Sequence, residues 1–137
     1  MNAKILIVED EMLVACEVEA VLGDLGHQVV GIAPDLQTAM ELAAQPIDLA
    51  LVDLNLRDGL TGPEIGKRLC ELGNVAVLFV TANARILGDG IAGAIGVLTK
   101  PTDEASVKAA VDYALRVKAG DETVAPPVGL RLFRRAA

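Results

Sequence analysis

The sequence predicts an α/β domain built on a doubly wound parallel sheet, and two observations support that prediction. First, five short apolar runs alternate with helix-like segments along the 137-residue chain. Second, most of these runs are continuous rather than alternating, which is typical of parallel strands covered on both faces. Strands and helices that alternate in this way form a parallel sheet with right-handed crossovers. The five runs are residues 4–8, 28–32, 49–52, 75–80 and 96–98.

Four segments between or after these runs carry the features of helices. The first has valine and leucine at helical spacing and ends at Gly26, a favourable C-terminal stop. The second, residues 35–44, lies between two prolines. The third opens at Thr61, whose spacing to Glu64 fits a capping box. The last long helix opens near residues 102–104, where acidic side chains suit the positive end of the helix dipole.

Two segments break this alternation. Residues 82–95 contain three glycines and support at most two helical turns, around residues 83–87. Beyond Ala119 the helical pattern ends, and two consecutive prolines follow that cannot continue a helix. We therefore predict one compact domain over residues 1–119 and a flexible, proline-containing C-terminal tail over residues 120–137.

The end of that tail has a second interpretation. Apolar residues and arginines are mixed there, a composition that also suits docking on an acidic surface, either of the same domain or of a partner. A disordered end and a docking segment both stay open from the sequence alone. The residues concerned are Leu130, Arg131, Leu132, Phe133, Arg134 and Arg135.

Composition narrows the class of function. The net charge is −7 and basic residues cluster only at the end of the chain, so direct binding of nucleic acid is not expected. Aromatic residues make up only 2% of the chain, so base-stacking platforms are lacking as well. No apolar run approaches membrane-spanning length, and the N-terminus lacks the layout of a signal peptide. We expect a cytoplasmic protein that does not bind membranes.

Polar side chains follow four of the five predicted strands. Glu9 and Asp10 come directly after the first strand, and Asp53 comes after the third. Thr81 follows the fourth strand, and Lys100, which precedes a proline, follows the fifth. The carboxyl ends of parallel strands are where open α/β sheets place their chemistry. Carboxylates gathered there must be neutralised, and a hard divalent cation such as Mg2+ is the usual partner of oxygen ligands.

An acid pair, a lone aspartate, a hydroxyl and a Lys-Pro pair in this order resemble the receiver domain of bacterial two-component response regulators. The resemblance covers roughly residues 3–118. It implies a flavodoxin-like (βα)5 fold, with a five-stranded parallel sheet in the strand order 2-1-3-4-5. Among the family's members, the chain looks most like the stand-alone, chemotaxis-regulator type.

The resemblance assigns a role to each of these side chains. Asp53 would be the nucleophile that becomes an acyl phosphate. Thr81 would offer its hydroxyl to a phosphoryl oxygen, and Lys100 would pair with Asp53 at rest and with the phosphoryl group afterwards. No organic cofactor is implied. The implied ligands of Mg2+, or of Mn2+ in its place, are Glu9, Asp10, Asp53 and the backbone carbonyl of Asn55.

Two departures from the family pattern concern the route by which a signal would leave the site. Val97 occupies the position on the fifth strand where family members usually carry Tyr or Phe, so no ring is available there to act as the switch partner of Thr81. The stretch from Thr81 to Lys100 is shorter than usual, which trims the fourth helix. Lys100 keeps the family's proline after it, and that Lys-Pro bond is often cis.

Asn55 and Asn83 lie two residues beyond Asp53 and Thr81, at positions that flank the phosphoryl group in this family. Their amides could hydrogen-bond an attacking water. We therefore predict that the phosphoryl group is lost quickly by self-catalysed hydrolysis. The alternative is that both residues are ordinary exposed loop amides.

These observations predict a stand-alone, single-domain response regulator. It would accept a phosphoryl group from a sensor histidine kinase or a histidine phosphotransfer protein. It would then signal by protein–protein contact or act as a phosphate sink. Apart from its own aspartyl phosphorylation and dephosphorylation, it would not be an enzyme. The sequence identifies neither the kinase nor the downstream target, and we expect a monomer with dimerisation left open.

Two alternatives stay open. A degenerate receiver would act as a phosphorylation-independent adaptor, although the complete set of polar residues argues against it. A phosphatase of the haloacid dehalogenase type also has a nucleophilic aspartate after a buried strand. That family needs a second aspartate two residues later, where this chain has Asn55, and it places its nucleophile on the first strand rather than the third.

Overall fold

The computed structural model describes residues 2–133 and contains one central sheet flanked by helices. In chain order the elements are β1 (Lys4–Val8), α1 (Met12–Asp24), β2 (Gln28–Ala33), α2 (Leu36–Leu42), β3 (Leu49–Val52), α3 (Gly62–Glu71), β4 (Ala76–Thr81), a 3-10 turn (Ala84–Leu87), β5 (Gly96–Thr99), α4 (Glu104–Lys118) and β6 (Leu130–Leu132). Among these described elements, no helix combines the length and apolar character needed to cross a membrane.

The sheet has the strand order β2-β1-β3-β4-β5-β6. Its first five strands are parallel, so the predicted doubly wound fold with the order 2-1-3-4-5 is confirmed. β6 is an additional strand that pairs antiparallel with β5. The chain reverses its direction of winding at β1 and β3, and the carboxyl ends of these two strands border the crevice where such sheets bind ligands.

Both faces of the sheet are buried, which explains the continuous apolar runs. Along β1, Ile5 and Ile7 pack in the layer of α1 and α4, whereas Leu6 and Val8 pack in the layer of α2 and α3. All four residues of β3 are buried as well. The strand that leads into Asp53 is therefore held firmly in the core.

Local sequence explains where two of the helices begin. Asp35 and Asp103 each accept a hydrogen bond from the backbone N–H three residues later, at 2.9 and 2.7 Å, and so cap α2 and α4. The capping box predicted at Thr61 is wrong. The Thr61 backbone is already helical rather than extended, and its hydroxyl donates to Oδ1 of Asp58 at 2.6 Å instead of accepting from α3.

The connection between β4 and β5 holds only one short 3-10 turn, within the limit of two turns that the sequence predicts. Gly88, Gly90 and Gly93 follow it with φ angles of +52°, +113° and +90°. Residues in this left-handed region cannot continue a right-handed helix. The described chain consequently has four α-helices around its sheet instead of the five of the implied (βα)5 pattern.

The prediction of a flexible tail is wrong for its last described residues. Leu130–Leu132 form β6, and the side chains of Leu130 and Phe133 are buried. The alternative interpretation, docking on the chain's own domain, is the one that the structure supports. β6 covers the edge of β5, which would otherwise present unpaired backbone groups. Arg134 and Arg135, which belong to the predicted basic cluster, lie outside the described residues.

Candidate functional site

The polar side chains predicted at the strand ends are gathered at one edge of the sheet. β1 and β3 pair up to their last residues, so Glu9 and Asp53 follow side by side. β4 and β5 pair in the same way, and the backbone N–H of Lys100 donates to the carbonyl oxygen of Thr81 at 2.9 Å. The register of four strands therefore brings together residues that are up to 91 positions apart in the sequence.

The ammonium group of Lys100 lies between two carboxylates. Its Nζ donates to Oε1 of Glu9 at 2.5 Å and to Oδ2 of Asp53 at 2.8 Å. The side chain of Lys100 is 18% exposed, that of Glu9 6% and that of Asp53 13%. The three groups border a cavity of about 350 Å³ whose other walls are mostly apolar residues of α1 and the neighbouring strands. Because water is largely excluded, Lys100 is held strongly by both carboxylates.

Burial and charge act against each other on the proton equilibria of this cluster. Burial raises the pKa of Glu9, and the Asp53 carboxylate adds to the rise, although the bond from Lys100 opposes it. Burial acts to lower the pKa of Lys100, but its bonds to Asp53 and Glu9 outweigh burial and raise that pKa. Lys100 is therefore a permanent cation at neutral pH.

The second oxygen of Glu9 also has partners. Oε2 accepts hydrogen bonds from the backbone N–H groups of Asp10 at 3.1 Å and Glu11 at 3.3 Å. Asp53 is oriented in a similar way, since its Oδ1 accepts from the backbone N–H of Leu54 at 2.7 Å. Glu9 thus connects the turn after β1 to Lys100, and the orientation of both carboxylates is fixed by backbone donors.

The oxygen atoms at this edge suit a hard divalent cation. Asp10, Asp53 and the backbone of Asn55 supply carboxylate and carbonyl oxygens, the ligand types that Mg2+ prefers. Among the described residues, no three acidic, histidine or cysteine side chains converge on a point that could hold a metal ion. The donor types of Asp10, Asp53 and the Asn55 backbone nevertheless suit Mg2+. In this structure the two oxygens of Glu9, and equally those of Asp53, are engaged by Lys100 and the backbone.

The other predicted residues lie around this cluster. Thr81 is fully buried at the end of β4, and its hydroxyl oxygen accepts a hydrogen bond from the backbone N–H of Asn83 at 3.1 Å. Asn55 and Asn83 are exposed. Val97 is buried on β5, away from solvent. The peptide bond between Lys100 and Pro101 is cis, as the resemblance implies.

Gly62, at the start of α3, matters to the site in a way that the sequence did not reveal. A β-carbon at this position would lie 2.1 Å from the backbone oxygen of Asp53 and 2.4 Å from Cα of Leu54. The N–H of Gly62 donates to the carbonyl oxygen of Leu54 at 3.0 Å. Only glycine permits this approach of α3 to the backbone that carries Asp53. The available signal was a glycine inside the first turn of a helix, where it lowers helix stability.

Comparison with protein families agrees with this geometry. The model of the response regulator receiver domain matches residues 5–112. The chain belongs to the receiver domain family. The matched range contains the strand ends and the polar residues of the cluster, and it confirms the resemblance inferred from sequence.

Named relatives of this receiver include several PhyR proteins. It is 35% identical over 118 residues to the phyllosphere-induced regulator PhyR of Methylorubrum extorquens, covering 84% of this chain and 44% of that protein. It resembles the crystal structure of the anti-anti-sigma factor PhyR from Bartonella quintana with a TM-score of 0.76 and 31% identity, covering 88% of this chain and 50% of that one. The solution structure of the PhyR response regulator REC domain from Erythrobacter litoralis is similar with a TM-score of 0.73 and 27% identity. The match covers 93% of this chain and 97% of that domain.

The extent of these matches defines what is shared. The receiver spans 44% of the Methylorubrum regulator and 50% of the Bartonella chain, but 97% of the isolated Erythrobacter domain. The common part is therefore the receiver domain alone. The activities and partners of the longer proteins do not follow from this similarity.

Proposed function

We propose that this receiver accepts a phosphoryl group on Asp53 from a histidine kinase or a histidine phosphotransfer protein. The observation that carries the proposal is the bridge from Lys100 to Glu9 and Asp53. It places a fixed cation 2.8 Å from the proposed nucleophile. The buried hydroxyl of Thr81, at the end of the next strand, supplies a hydrogen-bond donor for the same group. A phosphate-sink role would use the same chemistry without a further target.

The proposed reaction is an in-line displacement at phosphorus. A carboxylate oxygen of Asp53 forms the new O–P bond while the bond from phosphorus to the donor's histidine nitrogen breaks, and that electron pair leaves with the histidine. Lys100 stabilises the charge as it moves from the carboxylate to the phosphoryl oxygens, and Thr81 donates its hydroxyl to one of them. Lys100 and Thr81 would thus interact more strongly with the transferred phosphoryl group than with the unphosphorylated Asp53 carboxylate.

The proposed cofactor is Mg2+, held by Asp10, Asp53 and the backbone carbonyl of Asn55. When bound, it would neutralise charge on the equatorial phosphoryl oxygens. Mn2+ would serve as a substitute because it accepts the same oxygen ligands. Glu9 would act mainly by positioning Lys100, to which its Oε1 is bonded, and would reach the ion partly through water.

The proposed output is contact with another protein in the cytoplasm. The second candidate function, a phosphorylation-independent adaptor, has weak support because one relative is described as an anti-anti-sigma factor. The complete set of Asp10, Asp53, Thr81 and Lys100 favours phosphorylation over that alternative. The family match removes the support for the phosphatase alternative.

Beryllofluoride, which mimics a phosphoryl group bound to aspartate, tests this proposal. Fluorine NMR should detect bound fluoride in the wild-type protein with Mg2+. The signals should be absent from Asp53→Asn, and they should disappear when EDTA removes the metal. Binding that survives in Asp53→Asn would refute the assignment of Asp53. Failure of the folded wild-type protein to bind would favour the adaptor.

Replacing both Asn55 and Asn83 with alanine should slow loss of the phosphoryl group about tenfold, or about 1.4 kcal/mol in the barrier. Both amides are exposed, and in the proposed site they would flank the path of the attacking water, so the variant lacks the groups that would orient that water. The substitutions leave the backbone carbonyl of Asn55 in place. Intact mass spectrometry after removal of the phosphodonor would follow the decay.

The matched control for this prediction is Asn74→Ala. Asn74 is also exposed, but it precedes β4 and lies at the opposite end of the strand from Thr81. Its replacement should leave the decay rate unchanged. Equal decay of the double variant and the wild-type protein would show that Asn55 and Asn83 are ordinary loop amides.

A further inference from the structure

The last described segment of the chain covers the edge of the sheet next to the site. We name residues 129–133 the C-terminal strap. Its strand, β6, pairs with β5 so that Arg131 lies opposite Val97, and the backbone N–H of Phe133 donates to the carbonyl oxygen of Ile95 at 3.1 Å. The strap thereby occupies backbone groups of β5 that would otherwise form an open sheet edge.

Phe133 anchors the strap in the core layer that contains Val97. Its side chain is buried, and its ring centroid lies 6.1 Å from that of Phe79. Gly90 makes room for the ring, since a β-carbon there would lie 2.3 Å from its Cγ atom. The strap thus supplies an aromatic ring to the layer in which β5 itself presents only valine at position 97.

Arg131 connects the strap to the loop that follows Thr81. Its guanidinium donates to the carbonyl oxygen of Gly88 at 2.9 Å and to that of Ala84 at 3.3 Å, at the two ends of the 3-10 turn. The start of the same loop is held by Thr81, whose hydroxyl oxygen accepts from the N–H of Asn83. The site residue Thr81 and the strap are therefore both hydrogen-bonded to the same loop.

The strap has the properties of an element that opens easily. Its strand is only three residues long, Arg131 and Leu132 are exposed, and Val128 just before it is 99% exposed. Segments with few buried contacts and exposed hydrogen bonds open at low free energy. Release of the strap therefore costs mainly the burial of Leu130 and Phe133 and the two hydrogen bonds of Arg131.

We infer that the C-terminal strap is a releasable cover of the β5 edge, and that phosphorylation of Asp53 releases it. The inference rests on the proposed phosphorylation. As the Thr81 hydroxyl turns toward a phosphoryl oxygen, the loop that begins at Asn83 shifts, and the carbonyl groups bound by Arg131 move away from it. The freed strap uncovers the backbone edge of β5 and the pocket filled by Phe133.

Hydrogen exchange combined with intact mass spectrometry tests the release. Wild-type protein with acetyl phosphate and Mg2+ should show the phosphoryl adduct, and the amides of residues 130–133 should exchange at least about fivefold faster than without the phosphodonor. An adduct with unchanged exchange in the strap would overturn the inference and leave the proposed function standing. Absence of any adduct on Asp53 would overturn both.

Arg131→Ala provides the reciprocal test. If phosphorylation favours release of the strap, then a substitution that weakens the strap must favour the phosphorylated form. The variant should exchange its strap amides quickly without phosphate and should bind beryllofluoride at least about fivefold more tightly than the wild-type protein. Arg68→Ala, which removes an exposed arginine paired with Glu64 on α3, should change neither. Unchanged beryllofluoride affinity in Arg131→Ala would contradict the coupling.

Discussion

Replacing Lys100 with methionine should lower the free energy of unfolding by about 3 kcal/mol and slow phosphorylation of Asp53 about a hundredfold. The substitution preserves the length of the side chain but removes the charge that bridges Glu9 and Asp53 at 2.5 and 2.8 Å. Two carboxylates with side chains only 6% and 13% exposed would then face each other without a cation. Urea titration and the rate of adduct formation with acetyl phosphate measure the two effects.

The cost of this substitution should shrink at acid pH. Burial raises the pKa of Glu9 above its ordinary value of 4.5, so the folded protein binds this proton more readily than the unfolded chain does. The resulting stability is fully present below pH 4.5 and is lost as the pH rises through the folded-state pKa. Lys100→Met removes the bond that opposes the rise in pKa. The stability of the variant should therefore fall more steeply with increasing pH than that of the wild-type protein.

Lys108→Met is the matched control. Lys108 also pairs with a carboxylate, Glu104 at 3.0 Å, but the two side chains are 38% and 58% exposed. An exposed pair of this kind contributes about 0.5 kcal/mol or less, and Lys108 lies outside the site. If the two lysine variants lost the same stability and retained the same phosphorylation rate, the buried bridge would have no special role.

Gly62→Ala should lower the free energy of unfolding by about 3 kcal/mol or more and impair phosphorylation severely. The new β-carbon would overlap the backbone oxygen of Asp53 at 2.1 Å and Cα of Leu54 at 2.4 Å. These are backbone atoms, so no side-chain rotation can relieve the overlap. Either α3 or the backbone that carries Asp53 must move, and a shift of about 1 Å at a nucleophile costs about a hundredfold in rate.

Gly23→Ala is the control for this substitution. Gly23 lies in α1, and no atom within 4 Å would contact a β-carbon there. Alanine should therefore raise the free energy of unfolding by about 0.5–1 kcal/mol, because it favours the helix more than glycine does. A Gly62→Ala protein that unfolds at the wild-type urea concentration and is phosphorylated at the wild-type rate would contradict the proposed contact.

Most of the fold could be predicted because its signals are local. The continuous apolar runs that become β1 and β3 indicate buried parallel strands, and the polar residues directly after them must then share one edge of the sheet. The positions of Glu9, Asp53 and Lys100 follow from that argument. The family resemblance also implied the pair of Lys100 with Asp53. The second bond, from Lys100 to Glu9, could not be predicted, because it depends on the burial and distance of two side chains 91 positions apart.

Other features depend on contacts between segments distant in the sequence. β6 is three residues long, follows two prolines and becomes a strand only because the edge of β5 accepts it. The role of Gly62 arises from the approach of α3 to the turn after β3, and the sequence pattern carries no information about that distance. The capping box predicted at Thr61 fails for a local reason instead, since Asp58, three residues earlier, accepts the hydrogen bond of the Thr61 hydroxyl.

The central claim is that Asp53 accepts a phosphoryl group, and intact mass spectrometry tests it most directly. Wild-type protein incubated with acetyl phosphate and Mg2+ should gain the mass of one phosphoryl group, and hydroxylamine should remove it, as expected for an acyl phosphate. Asp53→Asn should gain none under the same conditions. Absence of the adduct from folded wild-type protein, or an adduct that persists in Asp53→Asn, would contradict the proposed function.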